Sequence, residues 1–116
     1  MKILVVGAGN MGASHAQAYH EMPEFEICGI VARGQSKVKL NEKLASDYPL
    51  FDNYYEALKR TKPDAVSIST YPDTHEAYAI AALEADCHVF IEKPLADSVA
   101  GAEKVAALAL SKKKKL

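Results

Sequence analysis

The chain has 116 residues, of which 49% are apolar and 25% charged, with a formal net charge of −1. That composition belongs to an ordered globular domain and excludes a disordered segment. The longest apolar run, Ala77 to Leu83, is far short of the ~18 residues of a membrane span.

Charge and cysteine usage narrow the classes further. Lys112 to Lys115 account for four of the 14 cations, so the first 111 residues carry ten cations against 15 acids. A basic tail can bind nucleic acid or anionic lipid, but no basic stripe in the body extends it, and cations also suit the negative end of a terminal helix. Nucleic-acid and membrane partners are therefore not expected. Cys28 and Cys87 alone make neither a disulfide framework nor a metal site. They read as reduced, buried thiols in a cytoplasmic protein, and no metal is expected. Met1 to Val6 reaches Gly7 too soon to be a secretory apolar region.

Elements alternate along the chain. Ile3 to Val6 is an apolar run stopped by glycine, the pattern of a strand buried on both faces. Asn10 to Met22 reads as a helix ended by Pro23, and Phe25 to Ala32 as a second strand. Ser36 caps a helix through about Asp47, closed by Pro49. Leu50-Phe51 is at most a strand stub, and Asp52 stands to cap a helix from Asn53 to Arg60. Lys62-Pro63-Asp64 makes a turn before a strand at Ala65 to Ser69. Asp73 or Thr74 caps a helix to Ala85, His88 to Ile91 forms a fifth strand, and Ser98 opens a last helix through Leu110. Five strands with helices between them require an α/β fold. The expectation is a doubly wound parallel sheet of the Rossmann type, ordered 3-2-1-4-5, as one domain over residues 1–116.

The turn after the first strand carries the first chemical signal. Gly7-Ala8-Gly9-Asn10-Met11-Gly12 is a G-x-G-x-x-G opening a helix. Gly7 permits the tight turn, Gly9 lets a pyrophosphate approach the backbone, and Gly12 lets helix and strand pack closely. The helix opening at Asn10, Met11 and Gly12 offers free N–H groups to an anion. A tight turn without a ligand is the alternative.

The end of the second strand bears on which dinucleotide is bound. About twenty residues past the loop, where an NAD site carries a carboxylate, the chain reads Ala32-Arg33-Gly34-Gln35-Ser36-Lys37, with no acid between Glu26 and Glu42. Arg33, Ser36 and Lys37 suit the 2′-phosphate of NADP(H) better than the diol of NAD(H). Arg33 could also simply stack on adenine in either cofactor.

Two more segments leave the carboxyl ends of strands: Ser69-Thr70-Tyr71-Pro72-Asp73-Thr74-His75, and Ile91-Glu92-Lys93-Pro94. With the glycine loop, in this order and spacing, they closely resemble the N-terminal domain of the Gfo/Idh/MocA family of NAD(P)-dependent oxidoreductases. His15 also matches a position often held by histidine in that family. The resemblance implies that Lys93 lies beside the nicotinamide and the substrate hydroxyl as the catalytic cation. It implies that Glu92 orients cofactor groups, that Pro94 fixes the turn, and that Thr70, Tyr71, Pro72 and His75 border the cofactor. Taken by themselves, Glu92-Lys93 could be a solvated ion pair and His75 a packing or capping residue. His20, His88, Tyr54 and Tyr55 read as structural.

Family members continue into a second α/β domain that supplies most substrate contacts, whereas this sequence stops where their sixth strand would begin. The resemblance thus implies the cofactor half of an oxidoreductase acting on a sugar, polyol or similar hydroxy or keto compound. Such a chain would bind cofactor with little turnover alone, and its exposed sheet edge near residues 88 to 91 would invite self-association. A non-catalytic dinucleotide-sensing module and another nucleotide-using enzyme, such as a methyltransferase, are the other classes. Glu92-Lys93-Pro94 favours the oxidoreductase.

Overall fold

Ile3, Leu4, Val5 and Val6 are each no more than 1% exposed. In a strand, consecutive residues can all be buried only where both faces are covered. The computed structural model, which describes residues 1–116, places them in the centre of a five-stranded sheet. β1 (Lys2–Val6) pairs in parallel with β2 (Glu26–Val31) on one side and β4 (Ala65–Ile68) on the other. β3 (Leu50–Phe51) lies outside β2 and β5 (His88–Ile91) outside β4, both parallel. The order β3-β2-β1-β4-β5 is the doubly wound Rossmann arrangement expected from the alternation of elements.

The pleat divides the core into two layers. Ile3, Val5, Ile27 and Ile30 face α1 (Asn10–Glu21) and α2 (Ser36–Leu44), meeting Ala16, Leu40 and Leu44. Leu4, Val6, Val66, Ile68 and Val89 face the other way. They meet side chains of α3 (Tyr54–Thr61), α4 (Pro72–Glu84) and α5 (Val99–Lys112), among them Leu58, Leu83 and Val105. Each fully buried aliphatic side chain contributes roughly 1.5–3 kcal/mol before conformational entropy is counted. No helix is long and apolar enough to cross a membrane, and no group of three or more His, Cys, Asp or Glu gathers in metal-binding proximity.

Helix ends depart from the sequence expectation at several places. α2 stops at Leu44 rather than near Asp47, because Ala45 turns left-handed at φ 50°. The buried Asn41 side chain then holds the following turn, accepting from Ser46 Oγ and the Tyr48 N–H and donating to the Tyr48 carbonyl. α3 is capped by Asn53, not Asp52: the Asn53 side chain accepts from the Glu56 N–H at 2.9 Å. α4 begins at Pro72 with Tyr71 as its N-cap, two residues before the expected cap Asp73 and three before Thr74. Proline suits that first position, where its missing N–H costs nothing. Ser98 caps α5 as expected, accepting from the Gly101 N–H at 3.0 Å.

The lysine run is not wholly a solvated helix end. Lys112 pairs with Asp86 at 2.9 Å, Lys113 turns left-handed, and the chain comes back along β5. The Val89 N–H donates to the Lys115 carbonyl, and the Lys115 N–H donates to His88 Nδ1. One end of the β5 edge is therefore covered, while Phe90 remains 42% exposed.

Both cysteines are free. Cys87 is buried and donates its thiol hydrogen to the Pro63 carbonyl at 3.1 Å. Burial pushes its pKa from 9.0 up to about 11. The unfolded chain therefore releases this proton first as pH rises, and the folded state loses stability between about 9 and 11. Urea melts across that window are expected to show a falling midpoint, with a shallower fall in Cys87→Ala.

Candidate functional site

The carboxyl ends of the strands are tied into one rim. The Gly7 N–H donates to the Val31 carbonyl, the Ser69 N–H to Val6 and the Glu92 N–H to Ile68. Four loops therefore leave the sheet side by side, at the point where the chain winds outward in both directions.

The three glycines of the loop are required for different reasons. Gly7 has φ 104°, and a Cβ there would lie 2.5 Å from the Ser69 carbonyl oxygen. A Cβ at Gly12 would fall onto the Gly7 carbonyl. A Cβ at Gly9 would meet nothing within 4 Å, so packing inside the protein gives no reason for glycine there. Gly9 is also the N-cap of α1, with no side-chain cap and no acid in the first turn. α3 and α5, by contrast, are capped by Asn53 and Ser98. Beside the loop, Ser69 Oγ is buried with no hydrogen-bond partner. Unsatisfied N–H groups of Asn10, Met11 and Gly12, an open backbone at Gly9 and an unpartnered hydroxyl together suit an oxyanion.

At the end of β2, Arg33 is exposed and makes no ion pair, and Ser36 Oγ donates weakly to the Arg33 carbonyl at 3.4 Å. Lys37 is placed otherwise than the cationic cluster requires. Its ammonium is buried, 2.7 Å from both Asp52 Oδ1 and the Gly34 carbonyl. The partner carboxylate arrives from the end of β3, far along the chain.

After β4, Tyr71 is 82% exposed, Pro72 is exposed, and the Thr70 and Thr74 hydroxyls share a hydrogen bond of 2.6 Å. His75 lies beneath this loop, fully buried. Its Nε2 faces the Thr70 carbonyl at 3.0 Å and its Nδ1 the Pro94 carbonyl at 2.5 Å. It reaches the rim through the two loops it joins, with no ring atom left for a ligand.

After β5, Glu92 pairs with His15 of α1 at 2.9 Å rather than with Lys93. Lys93 is exposed without an ion-pair partner, and its peptide bond to Pro94 is cis. A groove of about 360 Å³ continues from His15 between α1 and β5, lined by Ala18, Tyr19, Val89, Phe90, Ile91 and Leu116. The rim thus offers an anion cradle, one free guanidinium, one free ammonium and an apolar groove beside them. The sequence reads Asp52 only as a helix cap and gives the Ser69 side chain no role of its own. The Oγ of Ser69 has no motif to mark it, and Asp52 is brought in only by the β2–β3 pairing.

Residues 1–116 match the Gfo/Idh/MocA family, described as an oxidoreductase family with an NAD-binding Rossmann fold. The chain is 36% identical over 106 residues to 4-carboxy-2-hydroxymuconate-6-semialdehyde dehydrogenase of Sphingobium sp., covering 90% of this chain and 33% of that protein. Inositol 2-dehydrogenase of Agrobacterium fabrum is 31% identical over 108 residues, covering 90% of this chain and 32% of that protein. The structure of myo-inositol dehydrogenase from Lactobacillus casei in complex with NAD(H) and myo-inositol superposes with a TM-score of 0.88 at 26% identity. That match covers 99% of this chain and 34% of the other. The chain spans about a third of the length of these relatives.

Gly12→Ala is expected to destabilise the domain by about 1–3 kcal/mol, because helix and turn must separate to admit a methyl group. Gly9→Ala should leave the urea midpoint close to wild type. Equal losses in the two variants would contradict the packing described for this turn.

Proposed function

The chain belongs to the Gfo/Idh/MocA oxidoreductase family as an NAD-binding Rossmann domain, and from that premise we propose the following roles for its rim. The pyrophosphate of the dinucleotide sits at the α1 N-terminus, against the N–H groups of Asn10, Met11 and Gly12, with Gly7 and Gly9 shaping the approach. The observation that carries this is the convergence of an open Gly9, an uncapped α1 and the unpartnered Ser69 hydroxyl at one place. Arg33 and Ser36 hold the adenosine ribose and support NADP(H) over NAD(H). Thr70, Tyr71 and Pro72 border the cofactor, and His75 holds their loop against Pro94.

Bound nicotinamide supplies hydride transfer. Lys93 would act beside it as the catalytic cation: in the reducing direction its ammonium gives a proton to the substrate oxygen as hydride reaches the carbon, and in the oxidising direction the neutral amine takes the hydroxyl proton back. The free ammonium supports this role, because a lysine already paired with Glu92 could not supply it. Glu92 and His15 orient the nicotinamide ribose. The substrate class is a sugar, polyol or related hydroxy or keto compound, completed by a further domain that residues 1–116 do not include. Alone, the chain binds cofactor with little turnover. Two unpaired thiols suit the reducing cytoplasm.

Titration of this chain with NADH and NADPH is expected to give saturable binding. Gly9→Val should raise Kd at least tenfold, about 1.4 kcal/mol, while the variant still melts cooperatively as a folded domain. No binding by the folded wild type, or robust polyol oxidation by this chain alone, would overturn the reading.

The open part of the β5 edge and the exposed Phe90 also support association of two copies. Sedimentation equilibrium is expected to show a mass that rises with concentration and falls back in Phe90→Lys. A constant monomer mass rules this out.

A further inference from the structure

The pairing of β2 with β3 has an effect at the rim that neither strand shows alone. Ile30 lies beside Leu50 and Val31 beside Phe51, and the Ala32 N–H donates to the Phe51 carbonyl at 3.1 Å. Continuing that register brings Asp52 abreast of Ala32. This is the level at which a carboxylate from β2 would meet the adenosine ribose, and β2 has none there. The Asp52 carboxylate is 82% exposed. It makes one contact within the chain, to Lys37 Nζ at 2.7 Å.

Lys37 is held from two sides. Its ammonium also donates to the Gly34 carbonyl at 2.7 Å, and its side chain is only 11% exposed. To reach a phosphate it would have to leave both partners. Arg33, one residue beyond Ala32, is exposed and has no carboxylate partner. The local charges are thus one committed cation, one free cation and one solvent-facing carboxylate.

We propose that Asp52 is a specificity-determining residue for the dinucleotide, resting on the dinucleotide-binding reading above. It occupies Lys37 and presents a carboxylate from β3 where β2 supplies none. A 2′-hydroxyl can donate to that carboxylate, whereas a 2′-phosphate is repelled by it. Arg33 is left as the single cation opposing a 2′-phosphate, so Asp52 limits the preference for NADP(H) that Arg33 creates.

The test is a cycle of Asp52→Asn, Lys37→Gln and the double variant, titrated with NADH and NADPH at one fixed salt concentration. Asp52→Ser serves as a second substitution, and melting curves confirm folding. Asp52→Asn is expected to tighten NADPH about tenfold, with NADH unchanged or weaker. Lys37→Gln alone should change NADPH affinity less than about twofold, because its ammonium is already engaged, yet it should cut the gain in the Asp52→Asn background to the part that comes from lost repulsion. Equal shifts for the two dinucleotides, or no shift in either Asp52 variant, would overturn the proposal and leave dinucleotide binding intact. Loss of NADPH affinity in Lys37→Gln alone, as large as in Arg33→Ala, would overturn it too. Failure of folded wild type to bind either dinucleotide would remove the underlying reading, and this proposal with it.

Discussion

At Gly7 the backbone leaves β1 so close to the Ser69 carbonyl that a methyl group has no room, and one turn later Gly12 lies directly against the Gly7 carbonyl. These contacts are between backbones, so no side-chain repacking can relieve them. They bring the β1–α1 turn and the β4–α4 loop together at the centre of the rim. Everything chemical in the domain is referred to that place. The α1 N-terminus points where it does because Gly12 allows the helix to close on the strand, and the Ser69 carbonyl lies against Gly7. The four apolar residues of β1 make the position rigid, since shifting that strand would disturb both core layers at once.

Around this fixed centre the outer loops are joined by polar contacts that reach across strands. His75 connects the loop after β4 to the turn after β5 through two backbone carbonyls. His15 of α1 takes Glu92, which leaves Lys93 without a carboxylate. Lys37 of α2 takes Asp52 from the end of β3. In each case a side chain from one βα unit satisfies a group from another. The rim is therefore tied together by pairs that cross from one unit to another, and which charges remain free depends on those pairings rather than on any single motif.

Much of this was legible in the sequence, and what was not has identifiable causes. The apolar run Ile3 to Val6, glycines at positions 7, 9 and 12, and the regular alternation of elements suffice for the sheet order, because parallel crossovers leave few alternatives. Helix ends were harder. Asp52 and Asn53 are both good caps, and the choice fell to Asn53 because Asp52 had an ion-pair partner that local sequence could not reveal. The pattern carries α2 on to about Asp47, but the helix ends at Leu44 because a buried Asn41 holds the turn ahead of Pro49. In the site, Arg33 and Lys37 read alike as cations, with the Ser36 hydroxyl between them. A contact fifteen residues away separates them, and only a two-residue strand, β3, brings its carboxylate into place. His75 was recognisable as a rim residue, but its burial and its two carbonyl partners depend on where the turn after β5 passes.

The uncapped α1 has a thermodynamic consequence. N–H groups at its N-terminus and the Ser69 hydroxyl have no partners within the chain, so part of the domain's hydrogen-bonding capacity lies outside its own fold. An anion that engages these groups binds the native state and not the unfolded one, and linkage then adds its binding free energy to stability. At a hundred times the dissociation constant the gain is about 2.7 kcal/mol, a substantial share of the total for a small domain. The nucleotide pool around the protein would accordingly govern its population of unfolded chains, and through that its lifetime.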